Sequence, residues 1–334
     1  MKYIKLLFLS LFCMLQSCTS QTKINGVSFV ASRTAITEEH VNPVVEINAN
    51  FAAVMPFGFI KNLNNPEVIY NTKQQWYGES RVGVEQYAKS LDAKGIKIML
   101  KPQIWVSRGQ FTGYIQMETE NNWRKLEESY SGFILEYAKL AQDINADIFC
   151  IGTELEQFVS NRPEFWNTLI VDIKKVYKGK LTYAANWDEF KRTPFWSELD
   201  YIGVDAYFPV SDSKTPTVKE CLEGWRMHKP VIKEVSDRNK KPILFTEYGY
   251  RSIDYTGKEP WKSDRSDGFV NLEAQNNATK ALFDAFWKED WFAGGFVWKW
   301  FHDHANVGGE KDNRFTPQNK PVEKIIKSHF ENQK

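Results

Sequence analysis

The chain is poor in cysteine, carries no surplus of either charge and contains no long apolar run, and each shortage excludes something. Lys and Arg number 43 against 42 Asp and Glu, for a net charge of +1 and a pI near 7.6, and no basic block stands out. Nothing here attracts a nucleic acid by charge. The one apolar stretch at the N-terminus, Leu6 to Leu15, is too short to span a bilayer as a helix. A Gly-rich phosphate loop is also missing, because Gly26-Val27-Ser28 does not complete the dinucleotide fingerprint after the first apolar strand.

The N-terminus reads as a targeting segment. Lys2 and Lys5 precede the apolar run, which ends in Leu15-Gln16-Ser17-Cys18. That ending resembles a bacterial lipoprotein signal more than an ordinary cleaved secretory one. The expectation is a signal over residues 1–18, a lipid on Cys18, a polar tether over 19–23 and one domain over 24–332. The protein is then anchored to a membrane of the bacterial cell envelope, on its periplasmic or cell-surface face. Removal of Cys13 and lipidation of Cys18 leave Cys150, mid-strand, and Cys221, on an expected helix. These read as buried small residues rather than a disulfide.

Aromatics are plentiful: they make up 15% of the chain, with 12 Trp, and many follow directly after short apolar runs. Eight such runs read as strands: 24–30, 51–57, 96–102, 147–154, 181–187, 201–207, 242–247 and 294–300. Helical patterns separate most of them. Val84, Tyr87, Ala88 and Leu91 form one stripe, Trp123 to Tyr137 a longer one, and Phe165 to Val176 a third behind Pro163. No composition break marks a linker. Alternating strand and helix implies parallel strands with right-handed crossovers, and eight of them favour a single (β/α)8 TIM barrel over an open doubly wound sheet.

Two of the strands end in a glutamate, Gly152-Thr153-Glu154 and Phe245-Thr246-Glu247, the second followed by Tyr248 and a glycine turn at Gly249. In such a barrel the chemistry lies at the C-terminal ends of the strands. Strand alternation would put Cys150, Gly152 and Glu154 on one face and Ile243, Phe245 and Glu247 on another, both facing inward. Paired carboxylates across a cavity suit glycoside cleavage, in which one protonates the leaving oxygen and the other meets the anomeric carbon. Singly, each could be a strand-end ion pair, and Glu156 competes with Glu154 from farther into its loop. Flat aromatic surfaces for a pyranose are expected from Trp298 and Trp300 on one strand face, and from Trp105, Trp187 and Tyr207 at other strand ends. Asn186, Lys101 and Asp205 are further polar contacts to substrate, and the segment 251–271 is expected to line the cleft. His302-Asp303-His304 lacks a third ligand cluster, so a polar loop is preferred to a metal site. The sequon at Asn277 falls on an expected helix and is assigned no role.

These motifs, with the tail Phe315-Thr316-Pro317-Gln318-Asn319-Lys320-Pro321, resemble glycoside hydrolase family 113 of clan A over nearly all of the chain after the signal. The resemblance implies Glu154 as acid/base, Glu247 as nucleophile, β-1,4-mannan or a related heteroglycan as substrate, and no cofactor. It also implies that Tyr207 holds the nucleophile and that Trp298 is the sugar platform. Thr153 stands where much of the clan has Asn, and Met55-Pro56-Phe57 where it has Arg. A monomer is expected. The competing reading is a surface lipoprotein that binds glycan without turnover, or a hydrolase of the same fold acting on another β-glycan.

Overall fold

The structure is a computed structural model that describes residues 22–263 and 267–332. Cys18, the signal and most of the tether lie outside the described residues. Among those described, eight parallel strands close a barrel in the order β1 (Ile24–Phe29), β2 (Phe51–Val54), β4 (Lys97–Leu100), β6 (Ile148–Thr153), β7 (Lys180–Asn186), β8 (Ile202–Asp205), β9 (Ile243–Tyr248) and β10 (Phe292–Trp300), with β10 returning to β1. The eight expected strands are these eight, and closure excludes the open sheet.

Helices α1 (Glu38–Glu46), α2 (Arg81–Asp92), α3 (Glu120–Asp143), α4 (Glu156–Asn161), α5 (Pro163–Val176), α6 (Val218–Asn239), α7 (Leu272–Phe286) and α8 (Pro321–Glu331) surround the barrel. Their apolar stripes explain the arrangement. Val84, Tyr87, Ala88 and Leu91 of α2 are all buried, as are Trp123, Leu126, Tyr130, Phe133, Ile134 and Tyr137 of α3. Pro163 opens α5, where its missing N–H forfeits no helical bond. The large core lies between helices and strands, while a smaller cluster of Ile24, Phe51, Ala53, Met99, Ile148, Leu244 and Phe296 fills the barrel itself.

A short parallel pair, β3 (Phe57–Ile60) with β5 (Gln103–Val106), was not expected. It continues the β2/β4 pairing in unchanged register, Val54 to Leu100 and then Phe57 to Gln103, across Pro56 and Pro102. Proline donates no ladder hydrogen bond, so the two sheets part there. The extension raises Gln103 and Trp105 above the barrel's rim.

Candidate active site

Glu154 and Glu247 border one open cleft of about 810 Å³, and both stand at the C-terminal ends of their strands. Strict alternation does not bring them there. Phe245 packs outward against Trp225 and Phe286, and Tyr248 outward against Phe283 and Trp287. Between them Thr246 and Glu247 both turn inward, at an irregularity in the β8/β9 pairing. In β6 the register shifts between Cys150 and Thr153, and a Cβ on Gly152 would meet Tyr130, Trp166 and Tyr183 on the helix side. Ile243 likewise lies in the core between helices and strands while Leu244 fills the barrel, so the inward faces expected for Gly152, Ile243 and Phe245 are wrong. Local bulges aim the glutamates, as bulges beside active sites commonly do.

The two carboxyls have opposite surroundings. Glu247 accepts from Tyr207 Oη at 2.8 Å, from Gln103 Nε2 at 3.2 Å and from the Lys101 ammonium. All three are donors, which suits an acceptor-only carboxylate. Among the described residues no group hydrogen-bonds the Glu154 carboxyl. Removal from water, together with the negative charges of Asp205 and Glu247, raises its pKa well above the ordinary carboxylate range.

Lys101 and Asp205 do not touch the cleft, and their expected role as substrate contacts is corrected. Lys101 is 0% and Asp205 1% exposed. Lys101 Nζ lies 3.3 Å from Asp205 Oδ1, and Asp205 also accepts from Thr246 Oγ1 at 2.7 Å. Burial alone would lower the Lys101 ammonium, but Asp205 and Glu247 outweigh it and hold its pKa above the ordinary value. Burial and the neighbouring Glu247 push Asp205 up to about 7. These groups form the floor beneath Glu247.

Trp105, Trp187, Trp298, Tyr207 and Asn186 line the cleft as expected of substrate contacts, joined by Phe111, Tyr114, Trp261 and Phe315. Trp187 and Trp261 stack at 5.3 Å with 17° between their planes, so Trp261 and Ser263, from the segment expected to line the cleft, contribute a wall to it. Asn186 Oδ1 is buried without a hydrogen-bond partner. Trp300 is not part of the cleft. It is completely buried against His304, on the far side of the cis Trp298–Lys299 peptide, and its shared face with Trp298 does not exist. Glu156 also borders the cleft but pairs with Arg192. His302 packs on His40 while His304 bonds Glu323, so the two imidazoles face different partners. Cys150 and Cys221 are buried free thiols.

Sequence reasoning missed Gln103, Phe315, Tyr183 and Glu189. The Phe315–Pro321 motif pointed to its region, but nothing in the pattern around Glu189 singles out that carboxyl. Glu189 is buried, and burial pushes it up to about 8.

Such a rim belongs to a class that breaks glycosidic bonds, with paired acids across an aromatic trough on a (β/α)8 barrel. More narrowly, the chain belongs to Glycoside Hydrolase Family 113, whose model matches residues 30–320. Among solved structures it is similar to the GH113 beta-mannanase AaManA from Alicyclobacillus acidocaldarius, at 24% identity and a TM-score of 0.80, over 93% of this chain and 98% of that one. A GH113 beta-1,4-mannanase shares 22% identity at a TM-score of 0.81, over 92% and 99% of the two chains. The Faecalibacterium prausnitzii beta-glucuronidase follows the fold at 15% identity and a TM-score of 0.60, over 93% of this chain and 49% of that one. Comparison with curated proteins finds no match.

Proposed function

We propose that this glycoside hydrolase cleaves β-1,4-mannan or a related β-linked heteroglycan by double displacement, with Glu154 as acid/base and Glu247 as nucleophile. The contrast between the two carboxyls carries the reading. Glu154 is dehydrated and faces negative charge, which favours a proton on it, whereas Glu247 accepts from three donors that hold and orient its oxygens. A Glu247 oxygen attacks the anomeric carbon while Glu154 passes its proton to the departing glycosidic oxygen. Water then attacks the glycosyl-enzyme ester with Glu154 taking the water's proton, and configuration is retained.

Trp298 offers a flat face to the sugar, and Asn186 lines the same cleft as a polar side chain. The choice of mannan is supported by the family 113 relatives of known structure, which are β-mannanases. Product analysis on mannans, glucans and xylans tests it. Glu154→Gln should lower turnover of natural oligosaccharides by about 10²–10⁴ and spare aryl glycosides with good leaving groups. Glu247→Ala should disable both. Full activity of Glu247→Ala on every glycan, or first release of the inverted anomer, would refute the mechanism.

We also propose that the protein acts as a monomer and is held to the cell-envelope membrane by lipid on Cys18; the anchor is supported by Leu15-Gln16-Ser17-Cys18. Cys18→Ser should move the protein from the membrane to the soluble fraction; retention in the membrane would contradict the anchor.

A further inference from the structure

Glu154 has a left-handed backbone, with φ at 50°. Residues with a Cβ rarely adopt that conformation and keep it only where neighbours over-determine it. Here both flanking peptides are tied to β7. Glu154 N–H donates to the Ala184 carbonyl at 2.8 Å, and Leu155 N–H donates to Tyr183 Oη at 2.7 Å. Tyr183 Oη in turn donates to Glu189 Oε1 at 2.7 Å, while Glu189 Oε2 accepts from Asn186 N–H at 3.0 Å.

A single buried carboxyl thus ties the peptide after Glu154 to the strand end that presents Asn186. Neither Tyr183 nor Glu189 borders the cleft. The charged groups bearing on Glu189 include Glu156, Asp205 and Glu154, all acidic. Arg192 contributes only its backbone N–H, to the Glu189 carbonyl at 2.7 Å, and sends its guanidinium to Glu156. Among the described residues no cation pairs with Glu189. Burying a carboxyl is costly unless it is hydrogen-bonded, and the side-chain bonds of Glu189 go to Tyr183, which holds the Leu155 N–H, and to the Asn186 peptide at the end of β7.

We propose that Tyr183 and Glu189 act together as positioning residues for the proton donor, fixing the Glu154–Leu155 peptide and so the direction in which the Glu154 carboxyl enters the cleft. The inference rests on the assignment of Glu154 as acid/base. Glu189 also contributes to the raised pKa of Glu154, after burial and the charges of Asp205 and Glu247.

The test compares kcat/KM, which reports the bond-breaking half-reaction, on a β-1,4-manno-oligosaccharide and on a nitrophenyl β-mannoside. Tyr183→Phe in the full chain should lower kcat/KM on the oligosaccharide by about 10- to 100-fold and on the aryl substrate several-fold less, since a nitrophenolate needs little protonation. Glu189→Gln keeps the shape and should show a smaller split in the same direction, with the alkaline limb of its pH–rate profile shifted to lower pH. Equal losses on both substrates, or none on either, would overturn the proposal. Should Tyr183→Phe fail to fold, the same outcomes apply to Glu189→Gln. Glu154→Gln, assayed alongside, separates the two claims. A split for Glu154→Gln without one for the pair overturns the positioning role alone, and no split for Glu154→Gln overturns the acid/base assignment with it.

Discussion

Lys101 shows how much a single residue's depth decides. At the end of an apolar strand it reads as a cation reaching for a sugar, yet it lies completely buried between Asp205 and Glu247. Its work is electrostatic: it compensates two acids that would otherwise face each other in a poorly solvated place. Lys101→Met should therefore destabilise the fold by about 3–5 kcal/mol, the usual cost of leaving a buried charge without its partner. Urea denaturation would register this as a lower midpoint at unchanged slope. A midpoint equal to wild type would mean that the acids find other compensation. Glu154 and Glu247 were legible as residues because each terminates an apolar run. Glu189 was not, because a carboxylate three positions after a strand end is ordinary in a loop, and only contact with Tyr183 and two peptides makes it special.

At the level of the strand, alternation is a sound guide until a bulge intervenes, and here bulges sit directly before the glutamates. Phe245 outward, Thr246 and Glu247 inward, Tyr248 outward is a sequence of directions that no period-two reading yields. Gly152 is the weak point of the other irregular strand. An added Cβ would lie 2.7 Å from Tyr130 Oη, 3.0 Å from Trp166 and 3.1 Å from Tyr183, groups locked in the core. Gly152→Ala should cost about 1–3 kcal/mol, as overpacking usually does. It should also lower activity beyond that loss by displacing the neighbouring Glu154. Thermal melting and assays well below the melting temperature check this; a variant that melts and turns over like wild type would show that the strand absorbs the methyl. The Trp298–Trp300 pair failed for a related reason, since one side chain enters the cleft while the other is sealed in the core.

For the molecule as a whole, the acids gathered under the cleft make stability depend on pH. Glu189 is pushed up to about 8 from its ordinary 4.5 by burial, and Asp205 up to about 7 by burial and Glu247. Folded chains thus hold protons that unfolded chains release, so these groups' contribution is complete below their unfolded values and declines as pH rises through the folded ones. Lys101, with its pKa raised, stays protonated across that window and adds no slope. The denaturation midpoint should fall between about pH 5 and pH 8, and Glu189→Gln should flatten that decline. An equally steep decline in the variant would show that Glu189 does not titrate there.

What the chain's order of residues determined by itself was periodic: the eight apolar runs, the amphipathic helices between them, the parallel barrel they imply and the two acids at strand ends. Periodicity is local, and burial of apolar faces enforces it wherever the chain goes. Only the tertiary structure decided which side chains reach the cleft. That depended on bulges in β6 and β9, on the β3/β5 extension beyond Pro56 and Pro102, and on whether a charge such as Lys101 met two acids or solvent. Each of these arises from contacts between segments distant in the chain, which no local pattern encodes.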